Sequence, residues 1–245
     1  MQQALITGSA KRLGKDLAQR LAKLGYFTWV HYLNSKSAAE ETLQTIRNAG
    51  GKGELLQGDV SVLEDVERMA ATLQENAYPL GVLIHNVGIY HSGPLETFPV
   101  KQFEETIQTN LMGSYYLTQA CLPLFPPSGG NILHLGYTGL QGFLATSMNT
   151  AYTIAKSGQL ILTRSYAKSL GPRNIRVNMI SPGQQENSVD LPEELESHIP
   201  LGRAGTSQDI CSLVEFLISE RGSYITGQNI EVAGGFMMGL KTNLE

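Results

Sequence analysis

The chain has 245 residues with 18 basic and 22 acidic side chains, a formal net charge of −4, 42% hydrophobic and 16% charged residues. That length and apolar content exclude a disordered chain and are ample for one large α/β core. A mildly acidic balance without a Lys/Arg cluster excludes an electrostatic footprint for nucleic acid or an anionic membrane, and no apolar run approaches the ~18 residues that span a bilayer.

Apolar strand-like runs alternate with helical patterns throughout. Ala4 to Ile6 reads as a strand, followed by a Gly-containing turn and a helix from Leu13 to Leu24 with leucines near helical spacing. Phe27 to Leu33 is a second strand, Ala38 to Ala49 a helix stopped by Gly50-Gly51, Glu54 to Gln57 a third strand and Val62 to Gln74 a third helix. Gly81 to His85 is a fourth strand, and one long helix is predicted over Val100 to Leu122, weakly interrupted at Gly113. Strand five is Asn131 to Leu135, followed by a helix over Thr150 to Leu170, strand six over Arg176 to Ile180, a helix over Gln208 to Ile218 and a last strand over Asn229 to Val232. Continuous apolar strands alternating with amphipathic helices predict an α/β, Rossmann-like, doubly wound parallel sheet covered on both faces, with ligands at the carboxyl ends of the strands. No linker, repeat or low-complexity segment divides residues 1–245, so one domain is expected. The N-terminus enters a strand pattern at once, which predicts no signal or transit peptide. Cys121 and Cys211 read as core thiols of a reducing compartment, so the cytoplasm is expected.

Thr7-Gly8-Ser9-Ala10-Lys11-Arg12-Leu13-Gly14 lies between strand one and helix one. A dinucleotide site needs glycine where backbone approaches the pyrophosphate and free N–H groups at a helix N-terminus, and Gly8 and Gly14 meet that need. The loop resembles the cofactor loop of the short-chain dehydrogenases/reductases, departing at the middle glycine, where Arg12 stands. Its Lys11-Arg12-Leu13-Gly14 ending is similar to the loop of the pteridine reductases within that superfamily. An NAD site places a carboxylate at the end of strand two, whereas this stretch reads His31-Tyr32-Leu33-Asn34-Ser35-Lys36 with no acid until Glu40. Asn34, Ser35, Lys36 and Arg12 can instead donate to a 2′-phosphate, so NADPH is the expected cofactor. Asp59-Val60 resembles the family pair that holds adenine, and Asn86-Val87-Gly88 the motif beside the adenine ribose.

Tyr152 and Lys156 are four residues apart in a helical stretch, so both project from one face. A reductase must protonate the carbonyl oxygen that receives hydride, and tyrosine can do so if a nearby ammonium lowers its pKa from ~10 toward neutrality. The resemblance implies that Tyr152 is this acid, that Lys156 also bonds the nicotinamide ribose and that the Asn110 carbonyl holds a relay water. Pro182-Gly183 resembles the turn shaping the nicotinamide pocket. The family serine is missing: after strand five the chain reads His134-Leu135-Gly136-Tyr137-Thr138-Gly139. Counting from the strand puts Tyr137 at its place, while counting back from Tyr152 lands on Gly139, implying an insertion of about two residues. Tyr137 is the first choice for the hydroxyl that polarises the carbonyl and Thr138 the second.

The five histidines, His31, His85, His91, His134 and His198, lack metal spacing; His85 and His134 read as packed strand residues. Glu193, Glu194 and Glu196 read as a solvated helix face. The segment 184–199 corresponds to the family's substrate lid, here polar through Gln184, Gln185, Asn187 and Asp190. Tyr90, His91, Met148 and Met237 are candidate pocket surface. Two subfamilies compete. Pro200 to Arg203 and Ile225 to Gln228 resemble 3-oxoacyl-[acyl-carrier-protein] reductases, and Arg173 matches one docking arginine, but Leu122 to Gly130 has no basic residue for a second. The Lys11 to Gly14 loop and His31-Tyr32 with Ser35 resemble pteridine reductases, whose aspartate in place of the serine is absent. The fold can also survive as a non-catalytic dinucleotide sensor. Gly136 and Tyr137 favour that alternative, whereas Tyr152, Lys156 and Asn110 argue against it. Resemblance of Ile225 to Met238, Val100 to Leu122 and Thr150 to Leu170 to family interfaces implies a homotetramer.

Overall fold

In the computed structural model, residues 1–142, 145–186, 188 and 195–236 are described. Among the described residues, seven strands form one parallel sheet: β1 (Gln3–Ile6), β2 (Phe27–Tyr32), β3 (Lys52–Gln57), β4 (Leu80–His85), β5 (Gly130–Leu135), β6 (Ile175–Pro182) and β7 (Asn229–Val232). Their spatial order is β3-β2-β1-β4-β5-β6-β7. The order reverses direction between β1 and β4, and that switch point opens a crevice at the strands' carboxyl ends.

Seven α-helices accompany the sheet among the described residues: α1 (Arg12–Lys23), α2 (Lys36–Asn48), α3 (Leu63–Gln74), α4 (Val100–Ile107), α5 (Gly113–Cys121), α6 (Thr150–Leu170) and α7 (Ser207–Ile218). Alternation along each strand feeds two cores. Ala4, Ile6, Val30, Val82 and Ile84 pack with Leu17 and Leu21 of α1, Leu43 and Ile46 of α2 and Val214 and Leu217 of α7. Leu5, Trp29, Leu83, Ile132 and Val177 pack on the other face with Met69 and Leu73 of α3, Leu117 of α5 and Leu170 of α6. Both faces are therefore apolar, which is why the strands read as continuous hydrophobic runs rather than alternating ones.

Two expectations are corrected. The helix expected over Val100 to Leu122 is not continuous: Gln108–Met112 is a π-helical segment between α4 and α5, followed by a 3-10 turn at Leu122–Leu124. An interruption of this kind places one extra residue in the turn, and it falls on Asn110 rather than at Gly113. Strand six extends through Ser181 and Pro182, because parallel pairing with β7 continues as Ser181 with Glu231 and Pro182 with Val232. Pro182 is accommodated at the strand's end, where its missing N–H costs no interior ladder bond. Asn187, Asp190, Glu193, Glu194, Met237 and Met238 lie outside the described residues, as does the side chain of Glu196. Among the described residues, no helix is long and apolar enough to cross a membrane and no group of three or more His, Cys, Asp or Glu could hold a metal ion. Cys121 and Cys211 are free and buried.

Candidate active site

The turn after β1 is tied to the turn after β4. Thr7 Oγ1 accepts the N–H groups of Asn86 and Val87 at 2.9 Å each, and Asn86 Nδ2 donates to the Thr7 and Gly8 carbonyls at 2.8 and 3.2 Å. A Cβ at Gly14 would lie 2.3 Å from the Gly8 oxygen and 2.7 Å from Asn86 Nδ2, so only glycine lets α1 start this close to the turn. Gly8 has φ of +64° and Arg12 of +50°. Arg12 thus holds a left-handed backbone, at a cost of about 1 kcal/mol for an L-residue. Lys11 gives α1 no side-chain cap and its first turn contains no acid. The open amides of that turn, flanked by exposed Lys11 and Arg12, fit an anionic pyrophosphate.

His31, whose ring the sequence left without a role, props this loop. Gly8 N–H donates to His31 Nδ1 at 2.9 Å, so Nδ1 is the acceptor and Nε2–H donates to the Gly58 carbonyl at 3.0 Å. Burial holds the neutral ring, pushing its pKa down to about 4. At the end of β2, Tyr32 is buried, Asn34 is exposed, Ser35 is half-buried and Lys36 pairs only loosely with Glu40, 3.9 Å away on the helix surface. Asp59 Oδ1 accepts from the Ser61 N–H and Oγ, which stiffens the turn carrying Val60. Val60 lies against Gly113, where a Cβ would come within 2.9 Å of its carbonyl oxygen.

Gly88, Asn110 and Lys156 come together beside the β4 turn. A Cβ at Gly88 would be 3.6 Å from both Asn110 Oδ1 and Lys156 Nζ. The Asn110 side chain accepts the Ile89 N–H at 2.8 Å and donates to the Ile89 carbonyl at 2.9 Å, which fixes the π-helical segment to this turn.

Tyr152 and Lys156 share one face of α6, with Nζ 5.6 Å from the Tyr152 ring centroid. Lys156 Nζ donates to the Leu135 carbonyl at 2.7 Å and to Gln159 Oε1 at 3.0 Å. Burial lowers the Lys156 pKa to about 8. The expectation that the ammonium draws Tyr152 toward neutrality is not met in this arrangement. Burial raises the Tyr152 pKa, reinforced by the neighbouring Tyr137 and Tyr90 phenols. Tyr137 and Tyr90 lie with ring centroids 5.6 and 5.1 Å from that of Tyr152.

The two candidates for the missing serine separate here. Tyr137 turns toward α6, its hydroxyl 3.0 Å from Thr153 Oγ1. Thr138 Oγ1 instead donates to Glu231 Oε2 at 2.9 Å, and the Gly139 N–H donates to Glu231 Oε1 at 2.9 Å. Gly136 is required by its surroundings, since a Cβ there would meet Ser181 Oγ at 2.5 Å and Met179 Sδ at 2.9 Å.

A cleft of about 620 Å³ runs from Arg12 and Leu13 to Tyr90, Tyr137 and Tyr152, with Pro182 and Gly183 on its wall. It joins the loop that fits an anion to the tyrosines in one space. Asn149, Gln184, Ser188 and Phe236 also line it and were not singled out as site residues, apart from Gln184 in the lid. Glu231 was missed as well, because an acid on a C-terminal strand carries no signal until β7 is seen beside the β5 loop. His91 stands 4.0 Å from Glu105, and Met148 is exposed; neither borders this cleft.

A family model described as enoyl-(acyl carrier protein) reductase matches residues 8–237. The chain belongs to the short-chain dehydrogenase/reductase family. It is an oxidoreductase of that family by sequence and by fold. It is 32% identical over 242 residues to the 3-oxoacyl-[acyl-carrier-protein] reductase FabG of Staphylococcus aureus, covering 96% of this chain and 98% of the relative. An uncharacterized oxidoreductase of Bacillus subtilis, YmfI, is 30% identical over 241 residues, covering 95% and 98%. Among solved structures, a blue fluorescent protein from a metagenomic library, in complex with NADPH, matches with a TM-score of 0.89 and 29% identity over 96% of this chain and 98% of that one. The landomycin C-6 ketoreductase LanV, with bound NADP and rabelomycin, matches with a TM-score of 0.88 and 27% identity over 97% of each chain.

Proposed function

We propose that this member of the family is an NADPH-dependent carbonyl reductase whose substrate resembles a 3-oxoacyl thioester, with Tyr152 as general acid. The observation that carries the reading is the continuous cleft from Arg12 to Tyr152. A 2′-phosphorylated cofactor is favoured by Lys11, Arg12, Asn34 and Ser35 and by the lack of a carboxylate before Glu40, and relatives of the same fold bind NADPH or NADP.

The loop from Gly8 to Gly14 holds the pyrophosphate on the α1 amides, with Lys11 and Arg12 adding charge. Tyr32, Asp59 and Val60 border the adenine end, and Asn86, Val87 and Gly88 the adjoining ribose. Lys156 holds the nicotinamide ribose, with Pro182 and Gly183 shaping the ring's pocket. NADPH supplies the hydride. Tyr152 gives its phenolic proton to the carbonyl oxygen, and Tyr137 donates a hydrogen bond to that oxygen while Thr153 donates to Tyr137. Stabilising the developing negative charge in this way lowers the barrier more than it tightens substrate binding. Lys156, with water held at Asn110, restores the Tyr152 proton. Negative charge growing on the carbonyl oxygen is what draws the proton from a phenol whose resting pKa is raised.

A second reading, reduction of a dihydropteridine, is favoured by Arg12, whose side chain borders the same cleft as Tyr152. Arg173 is less available for docking an acidic carrier protein than its sequence position implies, since its Nη2 donates to the Leu122 carbonyl at 2.8 Å. The cytoplasm and a homotetramer complete the proposal. Assembly is supported by apolar side chains left on α4 and α6, with Val100, Ile154 and Ile161 exposed. The segment 184–199 is proposed as the substrate lid.

The test is NADPH oxidation followed at the nicotinamide absorbance with an acetoacetyl thioester, a dihydropteridine, a quinone and a diketone, and NADH run alongside. Turnover of the thioester with NADPH preferred supports the first reading, and turnover of the dihydropteridine alone supports the second. Tight NADPH binding without turnover of any of them overturns both in favour of a sensor.

A further inference from the structure

Lys156 is fixed from behind by a residue that belongs to no motif. Its ammonium has three N–H groups, of which one goes to the Leu135 carbonyl at 2.7 Å and one to Gln159 Oε1 at 3.0 Å. Gln159 is fully buried, one turn beyond Lys156 on α6, on a face otherwise occupied by Ala155, Leu160 and Thr163. Its Nε2 has no hydrogen-bond partner among the described residues. An amide in a core can turn over at little cost unless one orientation is enforced. Here the reversed orientation would bring Nε2–H against an ammonium, so the charge-assisted bond to Lys156 holds the amide and leaves Nε2 unpaired.

Behind this pair lies a column of neutral groups. His85 and His134, opposite each other on β4 and β5, stack with centroids 4.7 Å apart and planes 10° from parallel. His85 Nε2 lies 2.9 Å from Thr118 Oγ1, and His134 Nδ1 3.0 Å from Thr163 Oγ1. Thr163 Oγ1 donates its one proton to the Gln159 carbonyl at 2.8 Å, so His134 Nδ1 carries hydrogen and its Nε2 is a bare acceptor. Burial lowers the pKa of both rings, assisted by Lys156 in each case. The titratable groups facing Lys156 are thus His85 from β4, His134 from β5 and Tyr152 from α6. Among the described residues, no carboxylate forms an ion pair with it.

We propose that Gln159 is a positioning residue for Lys156: with the Leu135 carbonyl it fixes two of the three ammonium N–H groups on the sheet side, holds the lysine charged and leaves the third N–H for the cofactor ribose. This rests on the reading of Lys156 as the residue that holds that ribose. A neutral acceptor is the group suited to the place. A carboxylate would neutralise the ammonium and tie it to α6, and an apolar side chain would leave burial to discharge it.

The experiment measures NADPH affinity by fluorescence and kcat and KM for the reduced substrate, each across pH 6 to 10, in wild type, Gln159→Leu, Gln159→Glu and Lys156→Met. Gln159→Leu removes an acceptor from the charged form, so the alkaline limb of NADPH binding moves down by about one pH unit, and kcat falls with little change in the substrate KM. Gln159→Glu moves that limb upward. A packing role alone does not produce shifts of opposite sign. Wild-type limbs in both variants, or shifts of the same sign, overturn the proposal. Should Gln159→Leu fail to fold, the upward shift in Gln159→Glu decides alone, and its absence is a refutation. Lys156→Met separates the two failures: unchanged NADPH affinity and rate in that variant overturn the underlying reading of Lys156, whereas its loss beside unshifted Gln159 variants overturns only the role of Gln159.

Discussion

The Tyr137 hydroxyl lies 3.0 Å from Thr153 Oγ1, and Thr153 directly follows Tyr152 on α6. A hydroxyl from the loop after β5 is therefore held beside the proposed acid without a serine. Tyrosine reaches that position because its longer side chain spans the gap that Gly136, crowded by Ser181 and Met179, cannot fill.

Removing this hydroxyl tests its part in the chemistry. Tyr137→Phe keeps the ring packing against Tyr152 and loses only the donor, so kcat should fall by about 10²-fold with NADPH affinity unchanged. Steady-state kinetics and fluorescence titration check this together. A rate within twofold of wild type removes Tyr137 from the mechanism.

Tyr152→Phe should reduce kcat by several orders of magnitude, since it removes the group proposed to give up its proton, whereas Tyr137 is proposed only to donate a hydrogen bond. NADPH affinity is expected to stay close to wild type, because the phenol's loss leaves the α1 amides and Lys156 untouched. A single-turnover measurement in excess enzyme distinguishes slowed chemistry from slowed product release.

Glu231 holds the Tyr137 loop through Thr138 and Gly139. In Glu231→Gln one oxygen still accepts, but the amide nitrogen opposes one of the two donors. The expected result is a loss of about 1–2 kcal/mol in stability and a larger drop in kcat than in NADPH affinity. Denaturant unfolding with parallel kinetics reads both quantities, and an unchanged kcat would show that the clamp does not hold Tyr137 in place.

Acid stability carries the mark of the buried histidines. The folded pKa of His31 is lowered to about 4 and that of His85 to about 3, against ~6.5 in the unfolded chain. Between those values the unfolded state binds more protons, so stability falls as pH drops from about 6.5 toward 5, before most carboxylates titrate. For His31 alone the full shift corresponds to about 3 kcal/mol. His31→Gln can keep a side-chain acceptor for Gly8 N–H while removing the titration. Its unfolding midpoint should vary less with pH across this window than that of wild type.

The alternation of strands and helices was legible because a parallel sheet buried on both faces writes itself as uninterrupted apolar runs. Gly8, Gly14, Tyr152 and Lys156 were legible because local spacing carries their geometry. The π-helical turn at Asn110 was not, since it depends on the Ile89 backbone, 21 residues earlier, as its partner. Glu231 and Gln159 were equally silent: one reaches the site across β7, and the other looks like any polar residue on a helix until its burial is known. The differing surroundings of Tyr137 and Thr138 were silent too, since they depend on the carboxylate of Glu231, to which Thr138 Oγ1 donates. For Tyr152 the four-residue spacing gave the shared face but not the bonding: Nζ lies 5.6 Å from the ring centroid, with two of its N–H groups on the Leu135 carbonyl and the Gln159 amide oxygen.

A helix that changes pitch in mid-course also changes what its two halves can face. The extra residue within Gln108–Met112 rotates everything on one side of it by roughly 100° relative to an unbroken α-helix. α4 and α5 thereby keep separate angular registers, and Asn110 stands at the seam between them. Deleting one residue from that seam would leave a smoother helix with most of its apolar stripe misaligned on one side, and would carry the asparagine off the Ile89 turn. Here regular helical geometry and the Asn110–Ile89 contact are competing outcomes of the same five residues.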